Sequence, residues 1–342
     1  MCQICKTLSV NTASLRTVDP TRTLGIQRAF IRDFSRRFRG LTAAISKSVG
    51  VEDMFGFTPE PNILNKSADV VANYAFGTSQ AKINAFMRWF NQQVESGFYT
   101  AGFLPQVGNA VNPLWADKYV FDAYQQGATR ARYEMAKAGY PINTANPGDF
   151  DVRFGGPIHM DRLGLLYSRT FAELKGITSS MDTQISRILS NGMANGLGPK
   201  QMARQMNAAI TGIGKNLGIT DILGRHIPAR RRAEMLARTE IVRAHHQATI
   251  QEYENWAVEG VKVKAEFLSS KDDRVCDRCA SMSGTVYSLA DIRDLIPVHP
   301  NCRCIALPLE VKPAKKSKRK IKIREKTNIP TKKVTFTDAK KS

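Results

Sequence analysis

The chain has 342 residues, 42% of them hydrophobic, and carries 50 Lys/Arg against 30 Asp/Glu, a formal net charge of +20. That length holds a sizeable core or two modest domains, and no apolar run reaches bilayer-spanning length, so a membrane anchor is excluded from the reading. Residues 311–342 hold thirteen Lys/Arg against Glu325 and Asp338, and residues 16–47 hold eight against Asp19 and Asp33, which leaves the rest nearly neutral. A neutral body with cationic ends expects a polyanion, nucleic acid first.

Residues 1–18 show no periodicity and read as a flexible N-terminal segment. Cys2 and Cys5 form a C-x2-C pair there, for which a frayed, reduced state is the simpler reading. The stretch lacks the charged, apolar and small-residue succession of a secretion signal, so a reducing compartment at synthesis is expected. "DPTRTLGIQRAFIRDFSRRFRGLTAAISKSV" then opens with Asp19 as N-cap and Pro20 at the first helical position. Leu24, Ile31, Phe38 and Ile45 recur every seven residues, with Phe34 and Leu41 between them and five arginines alongside. This seam either packs on its own domain or docks on a partner. "QAKINAFMRWFNQQVESGF" places Ile83, Phe86, Met87, Phe90 and Val94 on one helical face, and a third helix is expected over about 113–138, ending at Gly139 and Pro141.

"NTANPGDFDVRFGGP" is the candidate domain boundary, dividing a helical N-terminal region (19–150) from a second domain (156–310). The second opens with a long helix through "LGLLYSRTFAELKGITSSMDTQISRIL", then a turn and a new helix near Pro199, then a helix bounded by Pro228 and Gly260. The period then changes. "VKVKAEF", "TVYSL" and "CIALPLEV" read as three strands of a small module over 261–310. The expected fold class is α+β, mainly α: a helical N-terminal region and middle, a small β-rich Cys/His module of zinc type, and a disordered basic tail over 311–342.

The module holds Cys276, Cys279, His299, Cys302 and Cys304, a C-x2-C pair followed after nineteen residues by H-x2-C-x-C. Two pairs of N/S ligands across such a loop have the spacing of a structural zinc site, and a module this small lacks the core to hold itself together without a staple. Four of the five would bind Zn2+. Cys276, Cys279, His299 and Cys302 are the preferred set, with Cys304 as the spare, although Cys304 could replace His299. Two disulfides, Cys276 or Cys279 to Cys302 or Cys304, or free thiols, are the alternatives. Arg274 and Arg303 are expected to flank the site. A catalytic metal is disfavoured, since no H-E-x-x-H is present and Asp277 sits inside the knuckle. His245 and His246, with Glu240 nearby, point about 100° apart on a helix and do not share one task easily.

The segment from "ARTEIVRAHHQATIQEYENW" through "DDRVCDRC", "SGTVYSL" and "HPNCRC" to "CIALPLE" resembles the C-terminal domain of phage head morphogenesis proteins, the Mu F-like minor head (minor capsid) protein family of tailed bacteriophages. The opening helix and "INAFMRWFNQQVESGF" also resemble N-terminal regions of such proteins, and "HH" after "ARTE" departs from the family's usual small or amide residues. The resemblance implies a non-enzymatic virion component made in the host bacterial cytoplasm. It would lie in the capsid interior near the portal vertex and help in head assembly and in DNA packaging or delivery. The implied partners are the portal protein, the major capsid protein, or both, and double-stranded DNA; no small-molecule substrate is implied. Lys315, Lys316, Lys318, Arg319, Lys320, Lys322 and Arg324 of the tail are the candidate DNA contacts, without sequence preference. Helix 19–49 is the candidate for docking on the portal or capsid. The alternative function is a zinc-dependent, nuclease-like DNA-processing enzyme.

Overall fold

The computed structural model describes residues 19–58, 78–102, 114–138, 157–212, 219–220, 226–258, 263–270 and 272–309. The chain divides into residues 1–311 and 312–342, and every described element lies in the first unit. The N-terminal segment 1–18, most of the expected boundary stretch and the tail fall outside the described residues.

Helix α1 (Leu24–Ile45) begins four residues later than Pro20 suggested. Residues 19–22 form a turn instead, closed by Arg22 N–H donating to the Asp19 carbonyl at 3.2 Å, with Arg22 at φ 58°. That left-handed residue interrupts any helix started at Pro20. Asp19 still serves the helix, because its carboxylate accepts the amide of Leu24 at 3.0 Å. The inward stripe is Phe30, Phe34, Phe38, Leu41 and Ile45, all buried in the chain's own core. It steps by four or three residues, the ordinary helical period; of the seven-residue pattern Phe38 and Ile45 are buried in it, while Leu24 and Ile31 are half-buried. Each such side chain contributes about 2 kcal/mol by burial. Trp115 sets its ring edge-on to Phe30 and Phe34, with centroids at 5.6 and 5.1 Å, and Phe38 meets Phe98 at 4.9 Å. The opposite side exposes Arg28, Arg32, Arg36 and Arg39. A π-helical turn, Ser46–Val51, continues the helix.

Helix α2 (Ser79–Phe98) is capped by Thr78, whose hydroxyl accepts the Ala81 amide at 3.1 Å, and buries Phe86, Phe90, Val94 and Phe98. Helix α3 (Asp117–Lys137) presents a face of small residues, Ala123, Gly127, Ala128 and Ala131. Helix α4 (Pro157–Ala194) is 38 residues long. It ends at Gly196 (φ 65°), where the Leu197 amide returns to the Gly192 carbonyl at 2.8 Å, a glycine stop that L residues seldom make. Helix α5 (Pro199–Thr211) starts on Pro199, as the sequence indicates. A two-stranded antiparallel pair, β1 (Ile219–Thr220) with β2 (His226–Ile227), precedes helix α6 (Ala229–Val258).

Helix α6 is the centre of the body. Helices α1, α3, α4 and α5 all pack on it, and it buries residues on every side, from Ala233 and Ala237 to Ile250 and Tyr253. Helices on both sides of the expected domain boundary therefore share one apolar core. The chain then turns into a three-stranded antiparallel sheet. Its order is β4-β3-β5, with β3 (Lys264–Leu268) paired to β4 (Val286–Tyr287) and to β5 (Ile305–Leu309). These are the three strands expected from the alternating pattern. Strand β5 lies against α3 and α6, so the small sheet borrows the helical body as its second layer.

Candidate metal centre

Between β3 and β4 stands a short helix, α7 (Asp277–Met282), with Cys276 as N-cap. The Cys276 sulfur accepts the Cys279 amide at 3.4 Å, so the C-x2-C spacing folds as a cap plus one turn with both sulfurs on one side. Helix α8 (Leu289–Arg293) follows β4, and the buried Ile292 and Ile296 support the loop that carries His299. The Cys302 amide donates to the His299 carbonyl at 3.1 Å, closing a turn in which Asn301 takes φ 61°. That turn brings the second ligand group back over the first.

All five predicted ligands meet here. Cys276, Cys279 and His299 converge as one trio, and Cys279, Cys302 and Cys304 as another, each with ligand atoms within 4.8 Å of one another. Cys279 belongs to both and is their common corner. His299 Nε2 lies 3.3 Å from the sulfurs of both Cys276 and Cys279. Its Nδ1–H donates to the Pro300 carbonyl at 2.8 Å, which fixes the tautomer and leaves the Nε2 lone pair facing the sulfurs. In a tetrahedral zinc site, Zn–S and Zn–N bonds of about 2.3 and 2.05 Å set N···S edges of about 3.5 Å. The donor set and its spacing fit that ion.

The sulfurs differ in environment. Cys276 is exposed, while Cys279, Cys302 and Cys304 are buried, and all four are free thiols. The Cys279 amide holds the Cys276 thiol below its ordinary value. A bond from Cys304, together with the amides of Cys304 and Val298, brings Cys302 down to about 5. Cys304, which donates to Cys302 and is desolvated, is pushed up. Burial raises Cys279 to about 12.

Arg274 and Arg303, expected beside the cluster, both turn to one acid. Arg303 grips Asp272 through two bonds of 2.6 and 2.7 Å, and Arg274 adds 3.2 and 3.0 Å. Asp272 is held well below the usual carboxylate range by Arg303 first. This clamp ties the segment leading into β5 to the loop before Cys276, and nothing in the sequence singled out Asp272.

His245 and His246 lie away from the cluster. His246 Nε2–H donates to the carbonyls of Ile292 and Arg293 at 2.9 and 3.1 Å, pinning α8 to α6. Burial drives His245 down to about 3 and His246 to about 4, so both are neutral at ordinary pH. A further buried group has no counterpart among the sequence motifs: Tyr124 bonds His159 Nδ1 at 2.9 Å, and Glu252 takes Arg132 at 2.9 Å with His159 Nε2 at 3.5 Å. Local spacing does not announce it, because its members come from three helices. Cys2, Cys5 and the tail cations from Lys315 to Arg324 lie outside the described residues.

No described helix is long and apolar enough to cross a membrane. No curated protein and no solved structure matches the chain. The family model described as phage Mu protein F like protein matches residues 183–307, from within α4 to β5, and so takes in every residue of the cluster. Over residues 183–307, this chain is similar to the phage Mu protein F like proteins.

Proposed function

We propose that the protein is a structural minor head component of a tailed phage, sited in the capsid interior near the portal vertex. There it contributes to head assembly and to DNA packaging or delivery. The observation that carries this reading is the family match over 183–307, within which the Cys/His cluster falls. In this reading Zn2+ is held by Cys276, Cys279, His299 and Cys302 and supplies folding free energy to a module whose sheet has only three strands. The metal does no chemistry on a substrate.

DNA contact falls to the cationic ends. The tail carries Lys315, Lys316, Lys318, Arg319, Lys320, Lys322 and Arg324, and α1 turns Arg28, Arg32, Arg36 and Arg39 to solvent. Because the apolar side of α1 is buried, docking on a portal or capsid subunit would also use that arginine face. The nuclease-like alternative finds no support in the cluster's surroundings: Asp277 is exposed on the first turn of α7, and His245 and His246 are buried and neutral.

The test is assembly with and without this chain in cells producing the phage's portal and capsid proteins. Heads that lack it should show fewer DNA-filled particles, and the chain should sediment with heads. Normal filling without it, or a chain that stays free of heads, would refute the reading.

A further inference from the structure

A cavity of about 370 Å³ opens between α4, α6 and the loop 297–300, with His299 of the cluster in its wall. Its size lies in the range of ligand pockets, about 300–1,000 Å³. Three arginines converge on it, Arg169 from α4 and Arg232 and Arg243 from α6. Two of them are already engaged. Buried Glu240 takes Arg169 Nε and Arg243 Nε at 3.3 Å each, and Arg169 also reaches Glu173 at 3.9 Å. Arg232 is half-buried and is drawn electrostatically to Glu173, but its Nη1 has no hydrogen-bond partner among the described residues. Ile177, Leu236, Pro297 and Val298 supply apolar wall beside it.

We infer that this cavity is a docking site for an acidic peptide segment of a protein partner, with one carboxylate received by Arg232 and an apolar neighbour against Leu236 and Val298. Charge decides the ligand class. Three arginines against Glu173 and Glu240 leave a single positive charge, which one carboxylate balances. A phosphate dianion would overcharge the cavity, and a DNA strand would meet two carboxylates on its path. The planar guanidinium fork suits a carboxylate, and arginine is a frequent anchor of protein contacts. A buried donor without a partner costs stability while it waits, as expected of a group kept for a ligand. This docking site does not rest on the DNA contacts of the proposed function, although the loop 297–300 that walls it carries His299 of the cluster.

The experiment is saturation-transfer NMR on the full chain with the probe acetyl-Leu-Glu-amide, beside acetyl-Leu-Gln-amide and inorganic phosphate. The expected result is saturable binding of the Glu probe, at least tenfold weaker binding of the Gln probe, and loss of Glu-probe binding in Arg232→Gln. That variant leaves the bonds of Arg169 and Arg243 to Glu240 in place, so its Tm should change little, whereas a structural arginine would lower it. Arg232→Lys, which keeps the charge and loses the fork, should bind between the two. Absence of saturable Glu-probe binding, equal binding of the Gln probe, displacement by equimolar phosphate, or unchanged binding in Arg232→Gln would each overturn the inference.

Discussion

Gly127 of α3 lies directly on the backbone of His245 in α6: a Cβ added at Gly127 would stand 2.2 Å from the His245 carbonyl oxygen. Thr249 bridges the same crossing, its hydroxyl donating to the Gly127 carbonyl at 3.3 Å. Two helices approach this closely only where one of them has no side chain, and α6 is the helix on which the whole body is assembled. Gly127→Ala should therefore force the helices apart and cost about 1–3 kcal/mol, the usual range for overpacking. Chemical denaturation should show a lowered midpoint, while Gly97→Ala, where no atom lies within 4 Å, should leave it at least as high. Equal midpoints would mean that the crossing gives way freely.

Zinc binding should be graded across the five ligands. Elemental analysis of the full chain should find about one zinc, with cluster thiols reacting only after chelation. Cys279→Ser should abolish binding, because Cys279 is the corner of both trios. Cys304→Ser should retain it, because Cys304 belongs to only one of the two trios and Cys276, Cys279, His299 and Cys302 supply four donors without it. Abolished binding in Cys304→Ser with retention in His299→Ala would reverse the assignment to an all-cysteine site.

Salt dependence separates the two cationic ends. Deleting 311–342 should lower DNA affinity and reduce the slope of log K against log salt by about 0.9 for each phosphate no longer neutralised. Replacing Arg28, Arg32, Arg36 and Arg39 with Gln should lower the slope again if α1 also faces DNA. These side chains are exposed, so the fold should persist in circular dichroism. An unchanged slope after the first deletion would remove the tail from the interface.

Stability should fall on mild acidification. His245 and His246 are depressed by burial to about 3 and about 4, whereas in the unfolded chain they titrate near 6.5. Below about pH 6.5 the unfolded state takes up protons that the folded state refuses, so their full contribution is present above that pH. It is lost progressively as pH falls toward 4, at up to about 1.4 kcal/mol per pH unit for each histidine. His245 Nε2 has no hydrogen-bond partner among the described residues, so His245→Met should fold and should remove one proton from this dependence. Urea titrations at pH 7, 6 and 5 measure the difference between wild type and variant; parallel curves would show that His245 does not carry it.

Wherever local chemistry decides, the sequence was legible. Pro199 and Pro228 mark helix starts, the change from helical to alternating period marks the three strands, and the H-x2-C-x-C group opposite C-x2-C assembles into one cluster. Arg232 and Arg243 stand eleven residues apart, three turns of one helix face, a signal that could have pointed to the cavity. The Asp272 clamp had no such signal, since Arg303 lies 31 residues away and reaches it only through the folded sheet.

By itself the sequence determined the mainly helical body, the small sheet, the cysteines and histidine that come together, and the charge at each end, because period, turn chemistry and residue type act over a few neighbouring residues. Only the tertiary structure decided that the seam of α1 faces inward, that His245 and His246 are buried neutral supports, and that α3 crosses α6 at a glycine. It also decided that Arg232 of α6 lies beside the loop that carries His299. Each of these depends on which surface another helix covers, and burial of that kind is set by packing between distant parts of the chain that no local pattern encodes.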